Sequence, residues 1–131
     1  MTDLWKDAPV VYAYNRAEAI EDGFLVDVTE TAREAGFRVP VAMTRGAWAE
    51  AVAWDAANRA PQDEEGRLWD VLWMAWLAAR GRRNDDTLHY EIVRVPNAPT
   101  ATVPRRLALV LHIGPGDEGE PVVTVMLPGE D

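Results

Sequence analysis

Two histidines, His89 and His112, are the residues of this chain best suited to metal binding or catalysis, and each lies in a β-prone segment. A hairpin that pairs Val95 with Arg106 would set the two imidazoles opposite each other. Imidazoles and carboxylates bind zinc, so with Glu91 as a third ligand this register predicts, as an alternative, a small metal-dependent hydrolase. The spacing His-Glu-x-x-His is absent, and ordinary strand histidines are therefore the favoured interpretation.

Common nucleophilic chemistry is excluded by composition. The chain has no cysteine and no serine, which removes disulfides, thiol catalysis, Cys-ligated zinc and the usual acyl transfer. The segment GPGDEGEP at 114–121 lacks the Walker lysine, and its carboxylates repel phosphate. We therefore expect a hairpin turn there and no cofactor. Its acids, Asp117, Glu118 and Glu120, are candidate contacts for a protein partner.

The net charge of the chain indicates which classes of partner it can bind. Twenty-two acids against 13 bases give a formal net charge of −9, which disfavours contact with a phosphate backbone. Direct DNA binding would require five arginines to converge into one patch: Arg80, Arg82, Arg83, Arg105 and Arg106. The excess of acids instead suits a protein that meets a basic partner, or one that mimics a polyanion with acids on one face.

The segment LWDVLWMAWLAAR at 68–80 holds half of the six tryptophans. On a helix, Trp69, Trp73 and Trp76 fall within about 60° of one another. The helix is apolar almost all round, which predicts a position in the protein interior. The alternatives are a partner-binding groove and a stacking platform for bases or sugars. Stacking sites on nucleic-acid binders normally include basic residues, whereas here Arg80, Arg82 and Arg83 lie beyond the stripe. Asp70 needs an arginine partner if this helix is central, because a buried unpaired charge is costly.

Local signals outline the remaining elements. Asn15, Thr44 and Asp63 are expected helix caps, and a further helix is expected at 29–35, closed by Gly36. Extended segments are expected at 10–14, 24–28, 39–43, 89–95, 106–113 and 122–127. Residues 1–131 are thus predicted to form a single α+β domain. A three-stranded antiparallel C-terminal meander packs against the Trp-rich helix, with Leu107, Leu109, Leu111 and Ile113 on the covered face, and short helices and strands precede it.

The N-terminus begins with acids where a signal peptide has a basic start, and the longest nearly apolar stretch is much shorter than a membrane span. We therefore expect a cytoplasmic protein that does not bind membranes.

Three segments carry a family resemblance: VYAYNRAEAIEDGFLVDVTETAREAGFRVPVAMTRGAW, DEEGRLWDVLW and GPGDEGEPVVTVMLPGED. They resemble a domain-of-unknown-function family of short proteins encoded on bacterial plasmids and integrative elements. The resemblance implies no activity and no catalytic residue, but its setting suggests a role in host interaction or defence. The leading hypothesis is a non-enzymatic, acidic protein of a mobile element that binds another protein, such as a basic host factor.

Overall fold

The computed structural model describes residues 15–81 and 86–130. The predicted strand at 10–14 and the side chains of Arg82 and Arg83 lie outside these ranges. Within them the chain forms four helices and five strands. In chain order these are α1 (Arg16–Glu21), β1 (Leu25–Asp27), α2 (Thr29–Ala35), β2 (Val41–Thr44), α3 (Arg45–Ala51), α4 (Glu64–Arg80), β3 (Thr87–Arg94), β4 (Arg105–Pro115) and β5 (Pro121–Met126).

Three helices begin where the sequence places a capping side chain. Asn15 caps α1, Thr44 caps α3 and Asp63 caps α4, each accepting a hydrogen bond from a backbone N–H of the first turn. These bonds satisfy donors that the helix itself leaves unpaired. The predicted caps and the predicted bounds of α2, closed by Gly36, are confirmed.

The sheet is larger than the predicted meander. Its strand order is β1-β2-β5-β4-β3. The three C-terminal strands pair antiparallel in succession, but β5 also pairs parallel with β2, where Val41 faces Val123. The prediction of a three-stranded antiparallel sheet is therefore wrong in extent and in type, because the sheet is five-stranded and mixed. The parallel pair joins segments far apart in sequence and leaves no local signal.

The predicted hairpin register is also wrong. Thr87 pairs with His112 and His89 pairs with Val110, so the two histidines are not opposite each other. The strand ends at Arg94, and the carbonyl of Val95 accepts a hydrogen bond from Arg67 Nη1 at 2.9 Å. Val95 thus contacts α4 and is not part of the ladder. The observed register differs from the predicted one by two residues, a shift that keeps every side chain on the same face of the sheet, so the alternation of the sequence does not distinguish the two.

Helices α2, α3 and α4 pack on one face of the sheet. The core between these layers includes Ala32, Ala51, Leu72, Met43, Leu109 and Val125, all fully buried. Leu107, Leu109, Leu111 and Ile113 lie on this covered face, as predicted. On the opposite face Arg16 of α1 donates to Thr124 Oγ1 at 2.8 Å. The layered arrangement leaves the outer side of α4 without a covering element in the part of the chain that the structure describes.

Candidate functional site

Helix α4 is only half covered by the core. Val71, Leu72 and Ala75 are fully buried, whereas four large apolar side chains are 38–41 % exposed: Trp69, Trp73, Met74 and Leu77. We call these four residues the exposed face of α4. The prediction of an interior helix is therefore wrong for this side. A helix that is apolar nearly all round carries little information about which side meets the core.

The three indoles are stacked on one another along α4. The ring centroids of Trp69 and Trp73 are 6.1 Å apart with the planes 12° from parallel, and those of Trp73 and Trp76 are 5.3 Å apart at 21°. The guanidinium of Arg80 lies 4.8 Å from the Trp76 ring centroid and extends the stack. We call Trp69, Trp73 and Trp76 the tryptophan ladder. Stacking restricts the side-chain torsions, so the surface is ordered before any partner binds.

Gly36 fixes the inner end of the ladder. Its φ is +127°, and a Cβ added there would lie 2.5 Å from Trp76 Nε1. The end of α2 therefore approaches the indole more closely than a residue with a side chain allows. Trp76 is half-buried as a result, and it connects the core with the two exposed indoles.

Acidic side chains lie at the start of α4. Asp63, Glu64 and Glu65 are exposed, and the side chain of Asp70 is 67 % exposed. Asp63 caps the helix and Glu64 Oε2 accepts from Trp54 N at 3.0 Å, which leaves Glu65 and Asp70 as the carboxylates next to the exposed face. Arg94 Nη1 lies 3.9 Å from Asp70 Oδ2, so an arginine is near this carboxylate, although Asp70 lies at an exposed edge and not in the interior. The local cations are beneath the surface, so the part that solvent meets is negative.

Sequence reasoning missed two buried arginines under this helix. Arg67 and Arg94 are only 2 % and 7 % exposed. Arg67 Nε donates to Val52 O at 3.0 Å, and Arg94 Nη2 donates to Arg67 O at 3.1 Å. Burial, with the nearby charge of Arg94, lowers the pKa of Arg67 to about 10. The available signal was helical spacing, because Arg67 lies four residues before the buried Val71.

The histidines do not assemble a metal site in the described ranges. His89 is exposed, and Thr87 Oγ1 lies 3.2 Å from His112 Nδ1. Glu91 Oε1 lies 4.0 Å from Arg106 Nη1 instead of beside an imidazole. Across residues 15–81 and 86–130, no group of three His, Cys, Asp or Glu side chains is arranged to hold a metal ion.

The acidic loop between β4 and β5 contributes to the fold. The Asp117 carboxylate accepts hydrogen bonds from Arg16 N at 2.7 Å and Ala17 N at 3.0 Å, so it caps α1. Glu120 Oε1 accepts from Glu118 N at 3.0 Å within the turn. The predicted hairpin turn is confirmed. None of the hydrogen bonds or ion pairs of the described residues connects this loop with the tryptophan ladder.

The described arginines of the DNA-binding alternative are separated. Arg105 pairs with Arg94, which bonds Arg67 at the start of α4, so Arg105 and Arg106 lie near that end. Arg80 ends the helix 13 residues after Arg67, about 20 Å along the axis. These three arginines therefore do not form one patch.

The described part of the chain is thus an α+β fold whose distinctive surface is an apolar, aromatic helix face beside acidic groups. Within it, no helix is both long and apolar enough to cross a membrane. Residues 1–131 match the model of a family of unknown function, DUF6573, and the chain belongs to this family. No curated protein and no solved structure matches it. Family membership agrees with the resemblance seen in the sequence, whereas the mobile-element setting stays a prediction.

Proposed function

We propose that this protein acts without catalysis, by binding another protein on the exposed face of α4. The observation that carries the proposal is the pair of stacked, exposed indoles at Trp69 and Trp73. Tryptophan is enriched among the residues that dominate binding energy in protein interfaces. An ordered aromatic surface also loses little side-chain entropy on association.

The partner that suits this face is a basic amphipathic helix. Its apolar side would cover Trp73, Met74 and Leu77, and its Lys and Arg residues would meet Glu65 and Asp70. A helix laid on an apolar surface is a recurrent mode of recognition, and complementary charge speeds encounter and fixes orientation. The net charge of −9 favours the same class of partner. From the family resemblance we expect a host factor as the partner and a gene carried on a mobile element. We place the interaction in the cytoplasm as part of the same proposal.

The direct test uses a designed helical peptide of leucine and lysine as the probe and its leucine–glutamate counterpart as the charge control. Binding is followed by fluorescence anisotropy, and the variants are Trp69→Ala and Trp73→Ala. Truncation of a residue that dominates an interface costs at least about 2 kcal/mol, and the proposal assigns that role to both tryptophans, so we expect each variant to weaken binding about 30-fold. Val93→Ala, which truncates an exposed apolar residue on the other sheet face, is the matched control and should bind like wild type.

A charge variant measures the electrostatic contribution to peptide binding. Glu65→Gln removes an exposed carboxylate for which no ion pair is seen in the described chain. We expect up to about fivefold weaker binding at low salt and a smaller effect at high salt, because exposed pairs contribute only about 0.2–1 kcal/mol and are screened. Equal affinity for the basic and the acidic peptide would contradict the assignment of partner charge. Wild-type affinity in both tryptophan variants would remove the proposed surface.

A photo-crosslinking amino acid at position 73 extends the test to the cell, with position 93 as the control site. The proposal expects a crosslinked protein at 73 alone, and expects the basic peptide to compete with it. A product formed equally at both positions would contradict it.

A further inference from the structure

A second feature, a cavity of about 430 Å³, lies beside the C-terminal end of α4. It is bounded by the connection between α2 and β2, by α4, and by β4 and β5. Its walls are mostly apolar and include Phe37, Val39, Trp76 and Ile113. Cavities of this size with apolar walls and a few polar groups are typical of small-molecule sites.

The charged groups of this cavity are all of one sign. Arg38 and Arg80 line it, and none of its described lining residues is acidic. Neither arginine forms an ion pair or a side-chain hydrogen bond with the described residues, although the protein has 22 acids. The guanidinium carbon of Arg80 lies 4.8 Å from the Trp76 ring centroid, and both residues line the cavity. Two guanidinium groups with free donors are suited to an oxyanion.

We propose that this cavity binds a small amphipathic carboxylic acid. Its apolar body lies against Phe37, Val39 and Trp76, and its carboxylate accepts hydrogen bonds from Arg38 and Arg80. The apolar walls provide affinity in proportion to the apolar surface that they remove from water. The two arginines provide selectivity for an anion over an alcohol of the same length.

The site is separate from the proposed docking surface. Trp69 and Trp73, which carry the docking proposal, do not line the cavity, and only Trp76 and Arg80 connect the two features. Trp69→Ala, which removes an indole that does not stack on Trp76, is therefore expected to leave ligand binding unchanged. The peptide and ligand experiments can in this way fail independently.

The probe is sodium decanoate below its micelle concentration, added to the full chain labelled with ¹⁵N at the tryptophan indoles. The Trp76 Nε1–H resonance is identified by its loss in Trp76→Phe. We expect a saturable shift of this resonance, at least about tenfold weaker binding of 1-decanol, and no shift with acetate, because charge-assisted hydrogen bonds contribute a tenfold factor or more.

Two sets of variants test the geometry. Arg38→Gln combined with Arg80→Gln is expected to weaken decanoate binding about tenfold or more, whereas Arg33→Gln combined with Arg59→Gln, which removes two exposed charges outside the cavity, leaves it unchanged. Ala79→Phe fills the cavity and is expected to abolish binding. Val39→Phe serves the same purpose if Ala79→Phe does not fold, and circular dichroism checks both.

Three results would overturn the proposal: no Trp76 shift with decanoate, equal affinity for decanol, or wild-type affinity in a folded cavity-filling variant. If Arg33→Gln combined with Arg59→Gln weakened decanoate binding equally, the effect would be due to net charge alone, and the proposal would also be overturned.

Discussion

Replacing Gly36 by alanine places a methyl group where the indole of Trp76 lies. The added Cβ would be 2.5 Å from Trp76 Nε1 and 2.6 Å from Cε2. The indole cannot rotate away freely, because Trp73 stacks on one side at 5.3 Å and Arg80 lies 4.8 Å from the ring centroid. The backbone adds a second penalty, since φ at Gly36 is +127°, a conformation that residues with a Cβ rarely adopt.

The expected loss of stability is the sum of the backbone penalty and the steric penalty. A non-glycine residue in such a conformation costs about 1–3 kcal/mol, and overpacking adds about 1–3 kcal/mol. We expect Gly36→Ala to lower the free energy of unfolding by about 2–6 kcal/mol. For a chain of this length that corresponds to a fall in Tm of about 8–24 °C.

Gly23→Ala is the matched control. At the end of α1 Gly23 N donates to Ile20 O and Phe24 N to Ala19 O, the same spacing as Gly36 N to Arg33 O and Phe37 N to Ala32 O at the end of α2. The φ of Gly23 is +83°. No atom lies within 4 Å of its added Cβ, so only the backbone penalty of about 1–2 kcal/mol applies. Urea unfolding followed by circular dichroism measures both variants.

A double-mutant cycle isolates the steric term. In a Trp76→Ala background the methyl group of Gly36→Ala meets no indole, so its cost should fall to the backbone penalty alone, about 1–3 kcal/mol. The reasoning is refuted if Gly36→Ala costs no more than Gly23→Ala, or if its cost is the same with and without the indole.

Three further predictions follow from single contacts. Burial raises the pKa of Tyr90 above its ordinary value. The stability that the neutral phenol contributes is therefore fully present below about pH 10 and is lost as the pH rises further. The fall in urea midpoint from about pH 9 to about pH 11 should be smaller in Tyr90→Phe than in wild type. Asp117→Ala removes the carboxylate that accepts from Arg16 N and Ala17 N but leaves the Asn15 cap of α1 in place. Hydrogen exchange should quicken at Arg16–Glu21 by about 5–30-fold while β4 is unaffected, and uniform quickening would contradict a local role. Asp63→Ala removes the acceptor for Gly66 N and should lower Tm by about 4 °C in a thermal scan, whereas an unchanged Tm would show that this cap contributes nothing.

Contacts within a short segment were predictable from the sequence, whereas contacts between distant segments were not. The caps at Asn15, Thr44 and Asp63 depend on a side chain and a backbone N–H three residues away, so a short segment contains the whole interaction. The pairing of Val41 with Val123 depends on the complete fold. Sequence patterns therefore predicted most strands of the sheet but not the partner of β2.

In the candidate site, too, the features set within one helix were predictable and those set by distant segments were not. Helical spacing placed Trp69, Trp73 and Trp76 on one stripe, and their stacking follows from that geometry. Which side of α4 faces the core depends on packing against β3 and α2, and an almost uniformly apolar helix does not encode it. The burial of Arg67 was missed because composition assigns arginine to the surface, whereas carbonyl acceptors from two other segments stabilise it inside.

The position of β5 has a consequence for how the chain folds during synthesis. It is the last described strand to be made, yet it lies in the middle of the sheet between β2 and β4. Until it leaves the ribosome, β2 and β4 each present an unpaired edge, and the two halves of the sheet have no strand pairing between them. Unpaired edges promote association with other chains. We therefore expect ribosome-bound chains that stop before Pro121 to depend on chaperones, and the native sheet to form in one late step once β5 inserts.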